Sequence, residues 1–202
     1  MSDRVTATDS SRFAEAWRRF DEENGRDPNQ VVREGRPQPR ELVYARWLTD
    51  WVLKLSPSAS EPLRLAARCQ HLCRWMIPRH SYPMTRAGYL QWREALKKFH
   101  AQKSGDILRQ VGYEEPIVNR VQELNLKKNL AHDAEVQVLE DALCLVFLEH
   151  QFSELAAKTT EDKMIGALQK TWKKMSAAGQ KAAQNLPYAP PERALLERAL
   201  SQ

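Results

Sequence analysis

The sequence predicts an all-α protein, a single compact bundle of about eight helices. Three observations carry this. Only 7 glycines occur in 202 residues. Runs of β-branched residues are scarce. Apolar residues recur at helical spacing between short segments rich in Pro, Ser and Thr. A hydrophobic content of 42% is enough for one buried core at this length.

The elements follow in order. Residues 1–10 are polar and read as a disordered tail, leaving one domain over 11–202. Ser10 or Ser11 caps a first helix through about Asn24, with Phe13, Trp17 and Phe20 on one face. GRDPNQVVREGRPQPR breaks it, and Val31-Val32 forms either a short strand or nothing regular. Helix two starts after Pro39 and runs to about Leu55. Ser60 and Pro62 open helix three, expected to run to Ile77-Pro78, where proline stops it. RHSYPM reads as a loop. A long helix spans about Thr85 to Val111, closed by Gly112 in a left-handed conformation.

Further helices are predicted over about Glu115–Lys128 and Ala134–Lys158. Thr159 or Thr160 caps the next, through Lys174. SAAGQKAAQNL reads as a short amphipathic helix, and PERALLERAL closes the chain. With no internal repeat or low-complexity tract, no domain boundary is expected.

The formal net charge of +5 favours anionic partners, though weakly. Cys69, Cys73 and Cys144 are too few, and odd in number, for a disulfide framework. Cys69 and Cys73, four apart on one expected helical face, read as buried free thiols in a reducing compartment. The N-terminus lacks the apolar core of a secretory signal, and no stretch is apolar enough to span a membrane. A cytoplasmic protein without membrane contact is expected. P-loop and dinucleotide-fingerprint glycine loops, CxxC pairs and an HExxH helix are missing from the sequence.

Four polar residues, Glu41, His71, His100 and Asp141, each sit inside an apolar helix-like stretch. Burying such groups carries a desolvation cost that a partner or a site must offset, so their convergence in one pocket is expected. Each also has a plainer explanation. His71 can be a hydrogen-bonded core histidine, Asp141 a solvent-facing neighbour of Glu140, Glu41 a first-turn carboxylate, and His100 a surface residue beside Lys97 and Lys98.

A second constellation is basic and aromatic. In RWMIPRHSYPMTRAGYLQWREALKK, Arg74, Arg79, Arg86 and Arg93 alternate with Trp75, Tyr82, Tyr89 and Trp92. Guanidinium forks suit phosphate oxygens, and aromatic faces suit nucleobases. The segment lies between His71 and His100, so it is expected to wall the same pocket, with Arg74, Arg79 and Arg86 binding substrate.

Over about residues 38–150 these segments resemble the HD-type metal-dependent phosphohydrolase superfamily. LRLAARCQHL resembles the helix leading into that family's His-Asp pair, with His71 as the matching histidine. FHAQKSGDILRQVGY resembles the next segment, and VLEDALCLVFLE the late helix with Asp141 as the matching aspartate. Glu41 falls where the first histidine would be. The pattern departs at Leu72, which replaces the pair's aspartate, at Glu41 itself, and in LNLKKNL, where lysines replace a further histidine of some relatives.

The resemblance implies a mononuclear divalent metal (Mn, Fe, Zn or Mg) held by Glu41, His71 and Asp141, with His71 and His100 in catalysis. The implied function is hydrolysis of a phosphorylated small molecule or nucleotide. Iron-dependent oxidation is a variant of it. The loss of the paired aspartate supports an alternative, a metal-free nucleotide- or RNA-binding helical protein using the same pocket. A third reading is a structural helical protein with core hydrogen bonds.

LAARCQHL, FHA and VLEDALCLVFLE also resemble an uncharacterised helical family sometimes labelled glutamyl-tRNA synthetase. Lys174-Met175-Ser176 is similar to part of the KMSKS loop of class I synthetases. The chain has neither the nucleotide-binding α/β sheet nor the HIGH-type motif that this chemistry needs, so the label does not follow.

Overall fold

Helix capping and left-handed turns set where each element begins and ends. A computed structural model describes residues 2–201, with side chains from Ser11 to Ser201. The side chains of residues 1–10 lie outside the described residues.

The first helix, α1, covers Ser2–Gly25. A two-stranded hairpin follows, β1 (Gln30–Arg33) paired antiparallel with β2 (Arg36–Pro39). Its turn residues Glu34 and Gly35 both have positive φ, the backbone twist that tight hairpins favour. Then come α2 (Arg40–Leu55), α3 (Glu61–Cys69), α4 (Arg86–Val111), α5 (Glu115–Leu126) and α6 (Ala134–His150). The chain ends with α7 (Phe152–Ala157), α8 (Glu161–Trp172), α9 (Ala177–Gln184) and α10 (Pro190–Leu200). The protein is thus mostly helical, as the periodicity predicts, and the small hairpin resolves what Val31-Val32 left open.

Side-chain caps place four of the helix starts among the described residues. Ser60 accepts from the Leu63 amide, Thr85 from Gly88, Asp133 from Glu135 and Val136, and Ser176 from Gly179. The cap of α2 is remote in sequence: Asp27, buried, accepts from the Glu41 amide at 3.0 Å. Gly112 closes α4 at φ 93°.

In the middle of the molecule α2 packs on α3 and α6, α3 on α5, and α4 on α5, while α1 covers α3 and α4. Phe20, Leu48, Leu63, Leu72, Leu108, Leu124, Leu145 and Phe152 are fully buried in the resulting core. All three cysteines are buried and free. Among the described residues no helix is long and apolar enough to cross a membrane.

Two expected helices are shorter than their patterns. The third ends at Cys69, well before Pro78, because Cys73 adopts a left-handed conformation at φ 54°. Its amide donates to Asn24 Oδ1 at 3.1 Å, so the buried Asn24 side chain on α1 supports the turn. Short 3-10 turns at Arg74–Met76 and Arg79–Ser81 continue the chain. Cys69 and Cys73 therefore do not share a helical face. The stretch expected to be one helix over 134–158 breaks at Gln151, whose φ of −126° departs from helical geometry. α5 stops at Leu126 because Lys127 takes a left-handed φ of 55°, a conformation that costs energy in a residue with a Cβ.

Candidate functional site

The two left-handed turns flank one cavity of about 380 Å³. It lies between α4 on one side and α6, α8 and the α8–α9 turn on the other. Tyr44 of α2 and the turn from Gln70 to Arg74 complete its wall. Among the described residues five cationic side chains line it, Arg74, Arg93, Lys97, Lys127 and Lys174, and one acidic side chain, Glu140.

His71 and His100 meet here, with ring centroids 5.9 Å apart. Tyr44 stacks on His71 at 4.1 Å and an interplanar angle of 14°, which fixes the imidazole plane. Behind His71, Glu41 Oε2 lies 3.4 Å from Nδ1. Burial pushes the Glu41 carboxyl up to about 7, against the pull of Arg74. Burial likewise lowers His71 well below its usual range, helped by Arg74, Lys127 and Arg93. Near neutral pH the imidazole is therefore uncharged, with a carboxyl behind it poised to gain or lose a proton.

The tautomer of His100 follows from its partner. Nδ1 lies 2.9 Å from the Leu72 carbonyl, which can only accept, so Nδ1 carries the hydrogen and Nε2 keeps a lone pair. Burial, with the neighbouring His71 and Arg74, lowers His100 to about 3.

The cations are held by the fold to different degrees. Arg74 stacks on Trp92 at 4.6 Å, and Trp92 is itself fixed by donating to the Ile77 carbonyl at 2.8 Å. Lys127 reaches Glu140 at 2.5 Å, and Lys174 approaches the same carboxylate at 3.7 Å. Burial would raise the Glu140 carboxyl, but Lys127, Lys174 and Arg93 together hold it below its usual range. Arg93 and Lys174 are exposed at the rim, and Lys127 is nearly buried. One carboxylate is thus shared by several cations, leaving net positive charge facing the cavity.

The expected site residues fall into three groups. Glu41, His71, His100 and Arg74 come together as expected. Arg79 and Arg86 do not line the cavity. The Arg79 guanidinium donates to the carbonyls of Tyr82, Pro83 and Thr85, so it staples its own loop, and Arg86 is exposed at the start of α4. Asp141 is the main correction. Its carboxylate accepts from the Ser176 amide at 2.8 Å, from the Ser176 hydroxyl, and from Gln137 Nε2 at 2.9 Å. It anchors the start of α9 on α6. That contact is tight enough that a Cβ on Gly179 would come within 2.6 Å of the Asp141 carboxyl carbon.

The residues present therefore do not fit the metal set of Glu41, His71 and Asp141. Among the described residues no group of three or more His, Cys, Asp or Glu is arranged to hold a metal ion.

Lys127, Lys174 and Glu140 carry much of the site and had little to announce them. The one signal for Lys127 is its place at a helix end that ordinarily takes Gly or Asn. Lys174 belongs to the Lys-Met-Ser run, and its role here is to share Glu140.

Residues 14–196 match the profile of a family described as a domain of unknown function, DUF4202. The chain belongs to that family. No curated protein and no solved structure matches it.

Two stability predictions come from this geometry. Glu41 holds its proton more tightly folded than unfolded, so it lowers stability as pH rises from 4.5 to about 7. His100 stays neutral in the fold down to about 3, so it lowers stability as pH falls from 6.5 to about 3. Glu41→Gln removes only the first effect. Thermal or denaturant unfolding should show the variant gaining on the order of 1–3 kcal/mol over the native protein at pH 8 and little at pH 4. A difference independent of pH would contradict the placement of Glu41. Asp141→Ala should cost about 1–3 kcal/mol in urea unfolding, through the orphaned Ser176 amide, without changing anion affinity.

Proposed function

We propose that this protein binds a phosphorylated small molecule in the cavity between α4 and α6, using cationic side chains and no metal ion. One observation carries the reading: Arg74, Arg93, Lys97, Lys127 and Lys174 converge on a cavity that has, among the described residues, a single acidic lining residue. Gathering like charges is unfavourable unless an anion offsets it, and a phosphate offers several acceptor oxygens to such a group. The cavity has the size of a small-ligand site rather than of a polymer groove, which supports a nucleotide or comparable phosphate ester over an RNA chain. Tyr89 in the same wall, 41% exposed, offers a face to a planar group.

A scaffold of HD type that has kept its polar pocket and lost its metal accords with this reading. Leu72 in place of the paired aspartate and the engagement of Asp141 with Ser176 both point that way.

A second reading, metal-independent catalysis, is favoured by the Glu41–His71 contact. The neutral His71 can take a proton from a bound hydroxyl or water through Nε2 while Nδ1 releases its own to Glu41. Catalysis predicts that a bound phosphate ester is converted in a phosphorus NMR time course, and that His71→Gln stops conversion while keeping affinity.

The binding reading is tested by titrating inorganic phosphate, nucleoside mono- and diphosphates and sugar phosphates at low and high salt. Arg93→Ala/Lys174→Ala removes two exposed rim charges at little cost to stability. Each lost charge-assisted hydrogen bond is worth about 1.5–3 kcal/mol, so affinity should fall by about tenfold or more per residue. Arg86→Ala, outside the cavity, should leave it unchanged. Equal affinity in the native and double-variant proteins, or no binding across the panel, would remove this reading.

A further inference from the structure

We infer that the ligand is a hydroxyl-rich phosphate ester, bound with its phosphate at the cationic rim and its neutral hydroxyl donors on the cavity floor. This rests on the phosphate-binding reading above and adds the chemistry of the opposite end. Two buried acceptors beside His71, Gln70 Oε1 and His100 Nε2, meet no protein donor. Their residues are 5% and 3% exposed. Both line the cavity.

The roles of these atoms are fixed by what their neighbours do. The Leu72 carbonyl takes the His100 Nδ1 hydrogen, so Nε2 can only accept. The Gln70 amide nitrogen points to the Asn125 carbonyl at 3.5 Å, which leaves Oε1 as an acceptor. A buried acceptor without a donor is costly, and two beside one histidine are unusual in a folded protein.

The floor thus offers acceptors where the rim offers donors. A ligand that satisfies both ends is polarised, with an anion at one end and hydrogen-bond donors at the other. The donors must also be neutral. Arg74, Lys127 and Arg93 already disfavour a positive charge on His71, and an ammonium at the floor would meet the same repulsion. Hydroxyl groups meet the requirement, since each donates one hydrogen without bringing charge. Discrimination of this kind is strong, because a site built to bond a hydroxyl leaves its own buried group unpaired when the hydroxyl is absent.

The test compares probes that share a phosphate and differ in hydroxyls. Ribose 5-phosphate, glucose 6-phosphate and adenosine monophosphate are titrated against phenyl phosphate, butyl phosphate and inorganic phosphate on the full-length protein. At least one hydroxyl-rich probe should bind about tenfold or more tightly than phenyl and butyl phosphate. Gln70→Leu should erase part of that advantage while leaving phenyl phosphate affinity unchanged. If all phosphates bind alike, or the hydroxyl-free esters bind best, the inference is overturned and the phosphate pocket stands. If none of the probes binds, both fall. The comparison on the native protein decides the matter even if Gln70→Leu fails to fold.

Discussion

The crowding of positive charge around Glu140 is the constraint on which the site depends. Lys127 and Lys174 share that carboxylate, and Arg93 adds to the same field. A single carboxylate cannot neutralise them, and Arg74 adds a further guanidinium on the wall of His71. Burial keeps both histidines uncharged, with Arg74 adding to it at each, and the surplus is the charge that the proposed anion would offset. Helix ends are arranged around this charge. Lys127 sits at a left-handed position where α5 stops, and the Cys73 turn swings Arg74 away from the path α3 would have taken.

These strained turns link backbone to chemistry. A non-glycine residue at positive φ persists only where its surroundings determine it, and such positions are common at sites. Cys73 lies between His71 and Arg74 in the chain, and Asn24 on α1 holds its amide. The packing of α1 on α3 and α4 is therefore coupled to the placement of two cavity residues. Tyr44 stacked on His71 and Trp92 under Arg74 fix the side chains that the turn delivers. The inner wall is held by these contacts, while Arg93 and Lys174 stay exposed at its rim.

Much of the fold was legible because it rests on local rules. Ser60, Pro62, Thr85 and Gly112 mark helix ends by caps and φ preferences that act within a few residues. The convergence of Glu41, His71 and His100 was legible too, since each polar group stood alone in an apolar stripe. Positions decided by remote partners or by loop carbonyls were not. Asp141 lies at the edge of such a stripe and has the look of a cavity residue, but its partner Ser176 is 35 residues away. Arg79 has the composition of a phosphate ligand, and the loop carbonyls beside it consume its donors. Cys73 and Lys127 carry no local signal for a left-handed turn, so the breaks they make in the helical pattern could not be read from periodicity.

The central claim is that cationic side chains hold a phosphate here without a metal. Titration of the chelator-stripped protein with the tightest-binding phosphate ester, with and without added divalent metal, tests it most directly. Equal affinity under both conditions, falling with added salt, is the result the account predicts. Binding that vanishes on chelation and returns with manganese, iron, zinc or magnesium would contradict it.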